Sequence, residues 1–304
     1  MNKTNLFNRF VSNLQNTLKE HSVTIKANGM VLSPDYYLCP ISLRLFSADS
    51  LKNKRLTLEH VPPHSLGGNG LVLVDKEINN KDGHTADKDL LLFFQTKTFL
   101  EYGGELEARI SAEMLGMHGV TAQFALKRNA PLESGEAKIQ VTTSEKNIKA
   151  MEYNGVFRNW DGLSFRISGK MSKKVNAKLM LKCAYLTAFS RIGYDLLFDK
   201  RGFKNGTYGV LIQALNNPDN NAFPLIGFGY HAPLEKSDVG VINEPKDYRS
   251  LFVNLSFKLD DHVYKYVIFL PHPDEENLDC LNRIKNIPAG QTVNFNISEI
   301  VRKI

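Results

Sequence analysis

The chain of 304 residues has little cysteine, little tryptophan and no long apolar run. Its three cysteines, Cys39, Cys183 and Cys280, are too few and too scattered for a disulfide framework, which favours a reducing cytoplasm as the compartment. No window of about 18 uninterrupted apolar residues is present, so we expect no membrane span. The N-terminus lacks the apolar core of a signal peptide. The single tryptophan, Trp160, is interpreted as a packing residue rather than a platform for stacking bases.

The composition is otherwise that of an ordinary globular protein. Hydrophobic residues make up 42% and charged residues 23%, which excludes a wholly disordered chain and a coiled-coil rod. The net charge of +6 is only a mild bias toward anionic partners.

Basic residues are concentrated in residues 166–182, a segment without any acid. Contact with nucleic-acid phosphates and a plain solvated helix face are both open interpretations of this segment. Lys54 and Arg55, just before a predicted strand, are interpreted in the same two ways. The candidate phosphate contacts of the basic segment are Lys170, Lys173, Lys174 and Lys178.

The pattern of apolar residues predicts an α+β protein in three parts. Residues 1–102 begin with an amphipathic helix. Residues 103–170 show the alternation and turn signals of a β-rich segment, and residues 171–304 show mixed α+β patterns. The last two parts could also form one domain, 103–304.

Three further elements have clear signals. Asp87 is the expected N-cap of an apolar helix. Residues 179–198 are apolar on most sides, as a buried helix is. Residues 251–259 alternate between apolar and polar, and residues 264–270 follow an Asp-Asp-His turn as a second strand, which predicts a half-buried hairpin.

The segment that carries chemistry is residues 56–84. A short apolar run, a Pro-Pro stop, a Gly-Gly turn, a second apolar run and a polar stretch predict strand, loop, strand and helix. Glu59 and His60 end the first strand, and Asn79 and Asn80 lie on the helix. A carboxylate, an imidazole and amide oxygens would then converge on one side of the unit. Such a set suits a hard divalent cation with a base beside it.

This segment resembles the HNH endonucleases, the ββα-metal nuclease family, over roughly residues 36–92. Glu59-His60 matches the acidic–histidine pair that ends the first strand of that family. Ser65-Leu66-Gly67-Gly68 matches its loop, Leu71-Val72-Leu73-Val74 its second strand, and Asn79-Asn80 its helix position. The resemblance does not cover the rest of the chain.

Many bacterial members of this family hold a structural zinc, and this chain departs from them there. The four equivalent positions are occupied by Cys39, Ser42, Asp75 and Ile78. Isoleucine cannot bind a metal and serine is a poor structural ligand, so we expect no structural zinc.

The resemblance implies metal-dependent hydrolysis of phosphodiester bonds in DNA, with RNA left open. Glu59 and Asn79 are implied as metal ligands. Three interpretations of His84 are open: an extra metal ligand, a phosphate contact or a solvated histidine at the helix end. His60 and Asn79 are implied as the catalytic pair, with His60 the general base. The oxygen-rich set favours Mg²⁺, with Mn²⁺ as second candidate. His64 is expected to be exposed and idle.

Two other functions are compatible with the same residues. One is an inactive HNH fold that binds nucleic acid through its basic surface. The other is a nuclease subunit that is active only with a protein partner or an activating ligand, within a larger complex. A role in restriction or antiviral defence is suggested only by association.

Overall fold

The structure is a computed structural model that describes residues 2–27, 30–31, 35–83, 86–111, 121–128, 138–142, 145, 149, 167–168, 172, 174–217, 223–224, 227–229, 238–288 and 290–300. Its helices are α1 Lys3–Glu20, α2 Asp49–Lys52, α3 Lys76–Gly83, α4 Ala86–Tyr102, α5 Ala177–Ile192, α6 Thr207–Asn216 and α7 Asp279–Lys285. Its strands are β1 Lys26–Ala27, β2 Met30–Val31, β3 Tyr37–Leu38, β4 Leu45–Phe46, β5 Leu56–Val61, β6 Asn69–Asp75, β7 Gly104–Ser111, β8 Thr121–Arg128, β9 Lys138–Thr142, β10 Ile167–Ser168, β11 Phe198–Asp199, β12 Gly202–Phe203, β13 Gly227–Gly229, β14 Val239–Glu244, β15 Ser250–Leu259, β16 His262–Pro271 and β17 Asn296–Glu299.

The chain is divided into two units, and one of them is discontinuous in sequence. Met1–Lys88 and Asn176–Ile304 form the first unit, and Asp89–Val175 forms the second. The predicted division at 102/103 and 170/171 therefore differs from the one that the contacts show. The N-terminal and C-terminal residues belong together because α5 packs against β5 and β6 as well as against β14, β15 and β16.

The helices and antiparallel sheets confirm the α+β class. In the first unit a five-stranded sheet has the order β13-β16-β15-β14-β17, and β5 and β6 form a separate hairpin. The predicted hairpin is confirmed as β15 and β16, paired from Ser250↔Pro271 to Leu259↔His262. In the second unit, β10, β7, β8 and β9 form a four-stranded antiparallel sheet, as the alternation there predicted.

Helix α5 is the centre of the first unit. Nearly all of its residues from Leu179 to Ile192 are buried, which agrees with its apolar pattern. The helix ends at Ile192, earlier than the predicted 198. Gly193 caps it with a positive φ of 75° and donates its N–H to the carbonyl of Phe189.

Tyrosine hydroxyls fix the segment before β5 onto this core. Tyr185 on α5 donates to the carbonyl oxygen of Pro40 at 2.8 Å, and Tyr37 donates to the carbonyl oxygen of Leu73 at 2.5 Å. Burial raises the pKa of both hydroxyls well above the usual range, so they remain neutral donors. The predicted amphipathic helix is confirmed as α1, and its Phe10 stacks on Phe189 at 5.1 Å between ring centroids.

Among the described residues, no helix is both long and apolar enough to cross a membrane. Trp160 lies outside the described residues.

Candidate active site

The site is built on the β5–β6 hairpin and on α3, in the predicted order of strand, loop, strand and helix. The hairpin register shifts between Glu59 and His60, which pair with Val72 and Gly70 and leave Leu71 as the extra residue on β6. Such a bulge increases the local twist and re-aims side chains. The bulge lies between the two predicted functional residues, Glu59 and His60.

The loop between the strands requires its two glycines. Gly67 has a φ of +78°, in the left-handed region that side chains disfavour. A Cβ atom added to Gly68 would stand 1.4 Å from the carbonyl oxygen of Pro62. The stem of Lys258, on β15, packs directly over Gly67, so an exposed lysine from the large sheet stands beside this loop.

Helix α3 is capped and oriented by side chains of the hairpin. Asp75 accepts the backbone N–H of Glu77 at 3.0 Å and so caps the first turn of the helix. Asn79 donates its side-chain N–H to the hydroxyl of Thr57 on β5 at 3.1 Å. Because the amide nitrogen of Asn79 is used in this contact, its carbonyl oxygen Oδ1 is available to accept a ligand.

These elements surround one polar cleft of about 270 Å³. The predicted residues Glu59, His60 and Asn79 all line it. The complete lining is Leu58, Glu59, His60, Pro63, His64, Asn79, Asn80 and Asp87. The central expectation from the sequence, that a carboxylate, an imidazole and an amide share one side of the unit, therefore agrees with the geometry.

His64 also lines the cleft, which was not predicted from the sequence. It is exposed, as expected, but its ring lies 5.3 Å from that of His60 in an edge-to-face arrangement with an interplanar angle of 85°. Its spacing of four residues from His60 across the Pro-Pro stop was the available sequence signal.

Asp87 also lines the cleft. The sequence predicted it as an N-cap, but α4 begins at Ala86, so Asp87 lies within the first helical turn. His84, the third predicted ligand, lies outside the described residues.

The carboxylate of Glu59 has a partner that sequence reasoning missed. The ammonium nitrogen Nζ of Lys182, on α5, lies 2.7 Å from Glu59 Oε1. The two side chains are only 6% and 13% exposed, respectively, so this is a buried ion pair. The signal was the position of Lys182 between apolar residues of a predicted buried helix, because a buried lysine requires a partner.

The charges of Lys182 and Glu59 also influence the neighbouring thiol of Cys183, inside the core. The pKa of the Cys183 thiol is raised far above its usual value by burial; the positive charge of Lys182 opposes this, and Glu59 and Asp87 add to it. The Cys183 thiol therefore lies within electrostatic range of three charged side chains, those of Lys182, Glu59 and Asp87.

The cleft fits a divalent cation by the chemistry of its donors. The carboxylate of Glu59 contacts Lys182 through Oε1, and Glu59 also lines the cleft. With Oδ1 of Asn79 and the carboxylate of Asp87, the cleft offers oxygen ligands next to imidazoles. In the part of the chain that the structure describes, no three His, Cys, Asp or Glu side chains form a metal-binding group. Magnesium sites, however, commonly use only one or two carboxylates with waters and substrate phosphates.

The predicted basic contacts are spread over different parts of the chain. Lys178 lies one helical turn before Lys182, so both share a face of α5. Lys174 is exposed just before α5. Lys54 and Arg55 are exposed before β5, at the opposite end of the strand from His60, and the Arg55 guanidinium lies over the Phe46 ring. None of these four residues lines the cleft. Lys170 and Lys173 lie outside the described residues.

Three of the four positions that are equivalent to zinc ligands in the family lie next to one another: Cys39, Ser42 and Asp75. The sulfur of Cys39 accepts the backbone N–H groups of Ser42 at 3.5 Å and Asp75 at 3.3 Å. The guanidinium of Arg44 lies 3.3 Å from the Asp75 carboxylate and 2.6 Å from that of Glu77. An arginine cation thus stands beside the Asp75 carboxylate, and the lack of structural zinc stays a prediction.

Comparison of the chain with protein-family models, curated proteins and solved structures found no match.

Proposed function

We propose that the protein is a metal-dependent endonuclease that hydrolyses phosphodiester bonds in DNA. The observation that supports this most is the presence of Glu59, His60 and Asn79 on the wall of one polar cleft. The resemblance of residues 36–92 to HNH endonucleases supports the same reaction.

The proposed roles follow from the positions of the side chains. His60 would accept a proton from the attacking water, with His64 against its ring. Glu59 and Asn79, which both line the cleft, would hold Mg²⁺ or Mn²⁺ through side-chain oxygens. The chemistry that a bound divalent cation supplies is neutralisation of the scissile phosphate and stabilisation of the leaving oxygen.

The DNA backbone would be held by lysines around the cleft. The candidates are Lys258, beside the Gly67 turn, and Lys178, one helical turn before Lys182. Phosphate contacts of this kind position a nucleic acid without reading its sequence.

A plasmid-nicking assay tests the proposal. Purified wild type, His60→Ala and the surface control His21→Ala are incubated with supercoiled DNA and Mg²⁺. His21 suits the control because it lies at the end of α1, near Asp195. Cutting by wild type and by His21→Ala, with none by His60→Ala, supports the enzyme.

The same assay separates the alternatives. DNA binding by both wild type and His60→Ala, without cutting by either, would favour an inactive binding module. The buried Lys182–Glu59 pair gives this alternative some support, because Glu59 already has a counter-ion without a metal. Cutting that appears only with a co-purified protein would favour a subunit of a larger complex.

A further inference from the structure

A buried ammonium stands directly behind the cleft. Lys182 is 5% exposed, on a helix whose other inward residues are apolar or neutral, and its Nζ contacts Glu59 Oε1 at 2.7 Å. A charge of this kind is costly to bury, so its partner must stay close.

Glu59 therefore lies between the buried lysine and the cleft. One oxygen faces the lysine on the core side, and the residue as a whole also lines the cleft. The ammonium of Lys182 supplies this carboxylate with positive charge, as a bound metal ion would. It balances the negative charge when no metal is bound, and it repels any cation that approaches the same carboxylate.

We propose, on the basis of the nuclease function above, that Lys182 keeps the affinity of the cleft for divalent cations low until a phosphodiester is bound. Lys182 balances the negative charge of Glu59 at this wall of the cleft. A phosphodiester adds one more negative charge, which a dication would then balance. Metal and nucleic acid would thus bind together rather than separately.

Loss of the Lys182 charge and loss of a purely structural contact change the dication affinity in opposite directions. Removal of the positive charge of Lys182 leaves Glu59 without a counter-ion, so the free protein should bind a dication more tightly, by about tenfold or more. A purely structural role of Lys182 predicts the opposite, because a loosened cleft would bind the metal less well.

The test measures Mn²⁺ binding to the full chain by electron paramagnetic resonance, without nucleic acid. The variants are Lys182→Met, Lys182→Arg, which keeps the charge, and the control Lys204→Met. Lys204 is another partly buried lysine, whose ammonium donates to the carbonyl oxygen of Asp195 and which does not line the cleft. Tighter binding by Lys182→Met alone supports the proposal, and equal or weaker binding overturns it.

A second measurement covers the case in which Lys182→Met does not fold. The Mn²⁺ affinity of His60→Ala protein is measured with and without a short DNA duplex. A rise in affinity of about tenfold with DNA supports joint binding, and an unchanged affinity overturns it.

Plasmid nicking by wild type is scored separately, so the two ideas can fail independently. Cutting by wild type with unchanged Mn²⁺ affinity in Lys182→Met overturns only the role of Lys182. Tighter Mn²⁺ binding by Lys182→Met without any cutting supports the electrostatic role and counts against the nuclease.

Discussion

The buried pair between Lys182 and Glu59 gives the sharpest prediction about stability. In Lys182→Met the side chain keeps a similar length but loses its charge, so the Glu59 carboxylate, 13% exposed, is left without its cation. Removal of one partner of a buried ion pair costs about 3–5 kcal/mol, because the remaining charge stays poorly solvated. We expect the free energy of unfolding in urea, measured by circular dichroism in EDTA, to fall by that amount.

The matched control is Lys52→Met. Lys52 pairs with Asp49 at 3.6 Å, but their side chains are 83% and 75% exposed. An exposed pair of this kind contributes below about 0.5 kcal/mol, so this variant should unfold almost as wild type does. The double variant Glu59→Gln/Lys182→Met should cost less than the two single changes added together, because no unpaired charge remains. A loss in Lys182→Met no larger than in Lys52→Met would refute the reasoning.

Three further outcomes are expected. Burial, and next the charge of Arg249, lower the pKa of His272 to about 4 from an ordinary 6.5. The unfolded chain therefore binds a proton between pH 6.5 and 4 that the folded protein excludes, and stability falls as the pH is lowered through this range. In His272→Asn, the fall in the free energy of unfolding between pH 6.5 and 4 should be smaller by up to about 3 kcal/mol. Urea unfolding at several pH values measures this fall, and a pH dependence equal to that of wild type would contradict the expectation. Gly68→Ala should prevent the loop from forming, since its Cβ would meet the carbonyl oxygen of Pro62; Gly290→Ala, with open space around its Cβ, should cost only about 1 kcal/mol. Wild-type-like melting of Gly68→Ala would count against the loop geometry. Metal analysis of purified protein should find no stoichiometric zinc, and one tightly held zinc per chain would contradict that expectation.

The local architecture of the site could be predicted from the sequence because its signals are local. Pro62-Pro63 ends β5, and Asp75 caps α3. The two loop glycines occupy positions that a side chain would strain or block. Each of these signals acts through its own backbone neighbours, so one short segment contains the information.

The contacts that complete the cleft could not be predicted in the same way. The apolar pattern of α5 indicates a buried helix but not which strands cover it. The basic segment 166–182 likewise gives no sign that Lys182 pairs with Glu59, which lies far away in the chain. The grouping of Asn176–Ile304 with Met1–Lys88 in one unit depends on the same contacts between distant segments.

The most direct test of the account is the cleavage of a labelled DNA duplex by wild type and His60→Ala, side by side, in Mg²⁺ and in EDTA. We predict that wild type cuts in Mg²⁺ and stops in EDTA, while His60→Ala binds the duplex and leaves it intact. Cutting by His60→Ala at the wild-type rate, or binding without cutting by the wild type, would contradict the central claim.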